Sequence, residues 1–245
     1  MNASESLAAG TLNTAPARPK FPQRRVVDAP TRAMHWLMAL SFLGAYLTAD
    51  GERWRLVHVS LGYTLMGLLA ARLLWGLVGP RPARLANLWR KLQGGTAWLK
   101  AALAGRIDWR QGQNLLLAAT VALLLAVIVP LTLSGLGVYQ EWAGGDWLED
   151  VHEFFGDGML ALVLAHVGAV LGLSLLRRRN LVAPMLSGRT AGAGPDLVKR
   201  PFTGVAMLLL AAVLGFWAWQ WQTAPAPAAD DGAHAAQSHH ADDDD

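Results

Sequence analysis

Residues 147–176 read WLEDVHEFFGDGMLALVLAHVGAVLGLSLL, an acidic start followed by an apolar run that carries His152 and His166, fourteen positions apart. At ~1.5 Å per residue a helix of this length crosses a hydrocarbon core of ~30 Å, and the two imidazoles stand ~21 Å apart along its axis. Fourteen steps of ~100° bring the second histidine to within ~40° of the first around that axis, so both rings face one bundle interior. Desolvating an ionisable side chain is costly. A histidine inside a membrane helix is therefore a functional candidate whose partner should be sought elsewhere in the chain.

The composition agrees with a membrane setting: 53% of residues are hydrophobic, only 16% are charged, and tryptophan occurs 11 times, as suits an interfacial aromatic belt. Residues 33–49, 56–78, 114–138, 147–176 and 202–221 form five apolar stretches, each near or above the ~20 residues that a span requires. The fold class expected is an all-α membrane protein, a four-helix transmembrane bundle with a fifth, C-terminal transmembrane helix. Residues 1–32 form a polar N-terminal tail without the apolar core of a cleavable signal, and residues 33–189 the four-helix domain. A linker at 190–201, a fifth helix at 202–222 and a disordered tail at 223–245, rich in Ala, Pro, His and Asp, complete the chain. Cysteine is absent, which excludes disulfides, thiolate-bound iron–sulfur clusters and covalent c-type haem. Any redox group is held noncovalently. No nucleic-acid partner is expected.

Charge sets the orientation. The N-terminal tail and the loops at 79–112 and 177–201 carry 18 of the 21 Lys and Arg, while 14 of the 18 acids fall on the opposite side or at its rim. The positive-inside rule then places the N-terminus in the cytoplasm and the C-terminus in the periplasm of a bacterial inner membrane, which five spans satisfy. In that frame His35 lies near the cytoplasmic start of the first helix and His58 near the periplasmic start of the second. The fourth helix, also running inward, presents His152 at the depth of His58 and His166 at the depth of His35.

Two imidazoles at one depth suit the two faces of a flat macrocycle. The reading that follows is two noncovalent haem b groups, with iron held axially by His58/His152 at the outer level and His35/His166 at the inner one. Such ligation leaves no open iron position, so single-electron transfer is expected rather than oxygen activation, with no catalytic side chain of the protein's own. Packing or interfacial histidines are the plainer alternative. A zinc site, or a haem-free metal-ion transporter, is a further one, but zinc wants four close ligands and each depth offers two histidines, with Glu153 and Asp157 near the outer pair.

The segments DAPTRAMHW (residues 28–36), LVHVSLGY (56–63), RLLWGLVG (72–79) and NLVAPMLSGR (180–189) look like the prokaryotic cytochrome b561 family, which includes the b-type cytochrome subunits of nickel–iron hydrogenases. The resemblance covers about residues 26–189. It implies a di-haem bundle whose ligands come from the first, second and fourth helices, here His35, His58, His152 and His166, and a third helix without histidine. It also implies exchange of electrons with a quinone or quinol, on the cytoplasmic side by analogy with the hydrogenase-type relatives. The function expected is transfer of electrons across the membrane between the quinone pool and a redox protein such as cytochrome c. The alternative is an anchor and electron conduit for a periplasmic enzyme such as a nickel–iron hydrogenase.

Other residues carry weaker signals. Arg72, fourteen positions after His58, and Arg32, just before His35, are candidates for haem propionate contacts, although snorkelling to the interface suits them equally. Gly62, Gly67, Gly156 and Gly158 suit close approach of a porphyrin or of another helix. Pro130 is expected to kink the third helix. Asp50, Glu52, Glu141, Asp146, Glu149 and Asp150, with Asp230, Asp231 and Asp242–Asp245 of the tail, make an acidic face that suits a basic partner or simple solvation. His234, His239 and His240 read as solvated tail residues.

Overall fold

The first helix starts where a carboxylate caps it. Asp28 Oδ1 accepts from the Thr31 amide at 2.7 Å, Pro30 occupies the first turn, and helix α1 follows from Ala29 to Leu47. A computed structural model describes residues 22–142 and 146–223, so most of the N-terminal tail and the acidic, histidine-bearing end, with His234, His239 and His240, lie outside the described residues. After α1 come α2 (Arg55–Val78), α3 (Leu85–Leu103), α4 (Trp109–Tyr139), α5 (Asp146–Leu176), the short α6 (Ala183–Ser187) and α7 (Thr203–Gln222). Two three-residue strands, β1 (Gln23–Arg25) and β2 (Arg189–Ala191), pair antiparallel with Arg24 opposite Thr190.

Among the described residues four helices are long and apolar enough to cross a membrane: α2, α4, α5 and α7. Helix α1 is shorter, at 19 residues, and its apolar run is interrupted by Thr31, Arg32, His35 and Ser41. It packs against α2 and α7. Phe42 of α1, Leu65 and Leu69 of α2, Ile128 and Leu131 of α4 and Met159 of α5 meet in one buried cluster. On the other side of α1, Met34 is fully buried with Leu68 of α2 and Val213 of α7. Apolar burial gives little drive between helices in lipid, so hydrogen bonds and close packing must supply the specificity. Trp217 Nε1 of α7 donates to Thr64 Oγ1 of α2 at 2.8 Å, and that hydroxyl donates onward to the Ser60 carbonyl at 2.7 Å.

The segment 79–112, expected as a loop, holds α3 instead. Leu85, Leu88, Leu92, Leu99 and Leu103 recur at helical spacing there, and the pair Gly94 and Gly95 interrupts the pattern without ending the helix. Helix α4 runs through Pro130 as a single 31-residue element.

The segment 180–189 closes one end of the bundle. Asn180 Oδ1 accepts from the Val182 and Ala183 amides at 2.9 Å each, and Gly188 ends α6 at φ +76°. That conformation, with the Val27 carbonyl only 2.8 Å from where a Cβ would stand, admits no other residue without strain. The Gly188 carbonyl receives the Val26 and Val27 amides, Arg32 Nη1 donates to the Leu186 carbonyl at 2.7 Å, and Trp36 Nε1 to that of Met185 at 3.0 Å. The two sequence motifs at 28–36 and 180–189 are thus two halves of one cap.

Asp28 is the centre of that end: it is 1% exposed, and besides Thr31 its Oδ1 accepts from Trp75 Nε1 of α2 at 3.1 Å. Asp28→Ala removes the helix cap and strands a buried indole N–H, a combined loss of about 2–3 kcal/mol. Thermal unfolding of the detergent-solubilised protein should show a clear drop for Asp28→Ala and a smaller one for Asp28→Asn, which keeps an acceptor oxygen.

Candidate functional site

Helix α1 ends at Leu47 and α2 begins at Arg55, so the last carbonyls of α1 lie beside the first turns of α2. The Ala45 carbonyl there already accepts from the Thr48 amide and hydroxyl at 3.2 Å each, and it has room for one more donor. His58 supplies one, with Nδ1 2.8 Å from the Ala45 carbonyl oxygen. On α5, His152 Nδ1 stands 3.0 Å from the Leu131 carbonyl oxygen of α4 and 3.4 Å from Ser134 Oγ. In both rings an Nδ1–H directed at a carbonyl fixes the tautomer and leaves the Nε2 lone pair free, the state in which imidazole binds a metal.

The ring centroids stand 6.0 Å apart with the ring planes at 80° to each other. Two metal–imidazole bonds of ~2 Å, with about 1 Å more from each nitrogen to its ring centre, span roughly 6 Å, so this separation would suit a metal shared by the two rings. Both histidines line a cavity of about 490 Å³ between α1, α2, α4 and α5, within the range of a cofactor pocket. Its walls include Phe42, Leu65 and Leu131, and its rim Tyr46, Tyr63, Tyr139 and the acids Asp50, Glu149, Glu153 and Asp157. Gly62 and Gly156 also line it, and a Cβ on either would meet nothing within 4 Å, so bare backbone faces the space on two sides. An apolar slot with imidazoles in opposite walls matches the requirements of haem b.

The second pair joins α1 to α5, fourteen residues further along α5. His166 Nδ1 is 3.4 Å from Thr120 Oγ1 of α4, whose hydroxyl donates to the Leu117 carbonyl at 3.1 Å and so keeps a lone pair for the ring. His35 of α1 lies close enough to His166 for their charges to interact, and its Nδ1 is buried without a hydrogen-bond partner. Arg72 Nη1, Thr31 Oγ1, Arg32 Nε and Asp28 Oδ2 are likewise buried and unpartnered, as buried polar atoms seldom are. Arg32 is otherwise engaged with the Leu186 carbonyl, whereas Arg72 lies within electrostatic reach of Asp28. Among the described residues no group of three or more His, Asp or Glu side chains converges to hold a metal ion, which leaves a zinc site without a ligand set there.

Sequence reasoning missed the residues that orient the rings. Gly135 of α4 packs directly on His152: a Cβ there would stand 2.7 Å from His152 Cε1. The hydroxyls Thr120 and Ser134 lie fourteen positions apart on α4, the same interval that separates His152 and His166 on α5. That shared spacing was the available signal.

A multi-pass helical membrane protein with paired histidines between its helices belongs to the class that holds haem b noncovalently. Residues 26–188 match the model of the prokaryotic cytochrome b561 family, and the chain belongs to that family. It is 24% identical over 208 residues to a probable Ni/Fe-hydrogenase B-type cytochrome subunit of Rhizobium leguminosarum bv. viciae, an alignment covering 66% of this chain and 87% of that protein. A protein of the same description from Bradyrhizobium diazoefficiens is 24% identical over 212 residues, covering 68% of this chain and 85% of its own length. No solved structure matches. Family membership makes the chain a membrane b-type cytochrome with an electron-transfer role.

Gly135→Ala is expected to push the His152 ring from its carbonyl anchor while leaving the α4 helix intact, since Ala favours helix. Low-temperature absorbance or electron paramagnetic resonance of the purified variant should show an altered or depleted low-spin haem signal. A wild-type spectrum would mean that the ring has room to move aside.

Proposed function

We propose that the chain holds two haem b groups and carries electrons across the membrane between the quinone pool and a redox protein partner. The observation that supports this most is the His58/His152 pair, with both Nδ1 atoms engaged by carbonyls of neighbouring helices and a cavity between the rings. His58 and His152 would hold the outer group, and His35 and His166 the inner one. When bound, haem b supplies one-electron Fe(III)/Fe(II) chemistry. The protein's part is to fix ligand orientation, through Ala45, Leu131 and Thr120, and to exclude water with the apolar walls of Phe42, Leu65 and Leu131. Arg72, and less directly Arg32, offer buried N–H donors to the propionates of the inner group.

Five spans, α1, α2, α4, α5 and α7, with the N-terminus cytoplasmic and the C-terminus periplasmic in the bacterial inner membrane, are the topology that the distribution of Lys and Arg supports. Residues 1–32, 33–189, 190–201, 202–222 and 223–245 then serve as tail, cytochrome domain, linker, fifth helix and periplasmic tail. Quinol exchange belongs near the inner, cytoplasmic group. The acids at the rim of the outer cavity suit a basic periplasmic partner such as cytochrome c. The names of the relatives favour a second reading, a conduit subunit serving a periplasmic nickel–iron hydrogenase. Copurification with a large periplasmic partner would select it.

Pyridine haemochrome analysis should return two haems per chain, and one or none overturns the di-haem assignment. The paired variants His58→Ala/His152→Ala and His35→Ala/His166→Ala should each retain one haem, whereas His58→Ala/His35→Ala should lose both. Retention of a haem by the last variant would mean that the ligands pair differently.

A short-chain quinol in stopped flow should reduce the oxidised protein faster than a quinol-free control. If His35→Ala leaves the initial rate of outer-haem reduction unchanged, quinol enters from the periplasmic side instead.

A further inference from the structure

Helix α3 lies between the end of α2 and the start of α4, on the side of the bundle that also carries the 177–201 segment. One flank is docked. Gly95 packs against Leu115, Trp98 stacks over Gly112, and Trp98 Nε1 donates to the Asp108 carbonyl at 2.9 Å. The other flank is open, and none of the 19 residues of α3 is buried. Trp89, Leu92, Leu99 and Leu103 recur at helical spacing along it, with Trp89 63% and Leu103 81% exposed. Beyond the helix the apolar surface continues onto Trp109, 71% exposed.

The charge around that stripe is of one sign. Residues 81–110 include seven Lys and Arg and a single acid, Asp108, whose carboxylate is taken up in capping α4 through the Arg110 and Gln111 amides. Among the described residues Lys91, Lys100 and Arg106 have no carboxylate partner. Arg90 and Lys91 in the middle of the helix bar it from crossing the bilayer. An apolar stripe on a helix whose other faces carry cations without carboxylate partners is the pattern of a helix that lies in the plane of the interface, with its apolar side chains in the acyl boundary and its long cationic ones reaching anionic headgroups.

We propose that α3 is a membrane-surface element that binds anionic phospholipid, through Arg90, Lys91 and Lys100 with the stripe Trp89–Leu103 seated in the acyl boundary. The bilayer itself is the occupant, and no partner protein is required. The stripe then anchors the connection between α2 and α4, and the cations select lipid.

The chain has no cysteine, so single-cysteine variants can be labelled cleanly in the full-length protein. Leu103→Cys on the stripe and Ala97→Cys, exposed and about 120° away around the helix, each carrying a fluorophore, are reconstituted in phosphatidylcholine vesicles with and without phosphatidylglycerol. A shallow lipid-borne nitroxide should quench the label at position 103 and leave that at 97 to aqueous iodide. Equal iodide quenching at both positions overturns the placement, as does shielding of position 103 that appears only when a second protein is added. Native mass spectrometry should find phosphatidylglycerol retained by the parent protein and reduced several-fold in the triple variant R90Q/K91Q/K100Q, with haem content unchanged as the control for folding. Unchanged phosphatidylglycerol retention in that variant overturns the headgroup selection.

Discussion

An imidazole inside an apolar bundle must find an acceptor for its N–H, because no water is there to take it. For His58, His152 and His166 that need is met by main-chain carbonyls or hydroxyls of the adjacent helix, and much of the architecture follows. His58 uses the Ala45 carbonyl in the last turn of α1, shared there with Thr48, which requires α1 to stop at Leu47 and α2 to turn back at once. His152 reaches the Leu131 carbonyl past Gly135, which requires α4 and α5 to approach at a position with no side chain. Each acceptor fixes a ring, and each ring fixes a helix pair.

The same logic separates what the sequence discloses from what it hides. The four histidines and their depths are legible because helical rise and period are properties of a single chain segment. Their acceptors are not, since a carbonyl has no sequence signature and Gly135 reads like any glycine of a membrane helix. The hydroxyls Thr120 and Ser134 are an intermediate case: their fourteen-residue interval repeats that of the histidines they touch, but only once α4 is known to lie beside α5 does the match acquire meaning. The motifs at 28–36 and 180–189 are legible as motifs and opaque as partners. Their contact rests on Gly188, Arg32 and Trp36 meeting across the fold.

Helix α3 escaped the sequence reading for a different reason. Two adjacent glycines and a mixture of Trp, Lys and Arg resemble a basic loop, and the positive-inside rule accounts for the charges without any need for structure. The leucine spacing was present, yet a helix lying along an interface has a weaker apolar contrast than one that spans it. Helix α1 likewise hides its start. Its apolar stretch at 33–49 does not show where the helix begins, since α1 starts at Ala29, after the cap at Asp28.

The cap also bears on how the chain is made. Arg32 Nη1 and the Leu186 carbonyl are 154 residues apart, so the start of α1 cannot reach its final contacts until α6 has been synthesised. The bundle is threaded into the membrane from its first helix, and long-range contacts of this kind close late and slowly. Until then Asp28 and Trp36 have only local neighbours, and His35 and His58 wait for α5 to bring His166 and His152. On the proposed ligation, cofactor capture would be a property of the nearly finished chain, because a nascent protein truncated before residue 152 has half of each histidine pair and would have no means of gripping a macrocycle from both sides.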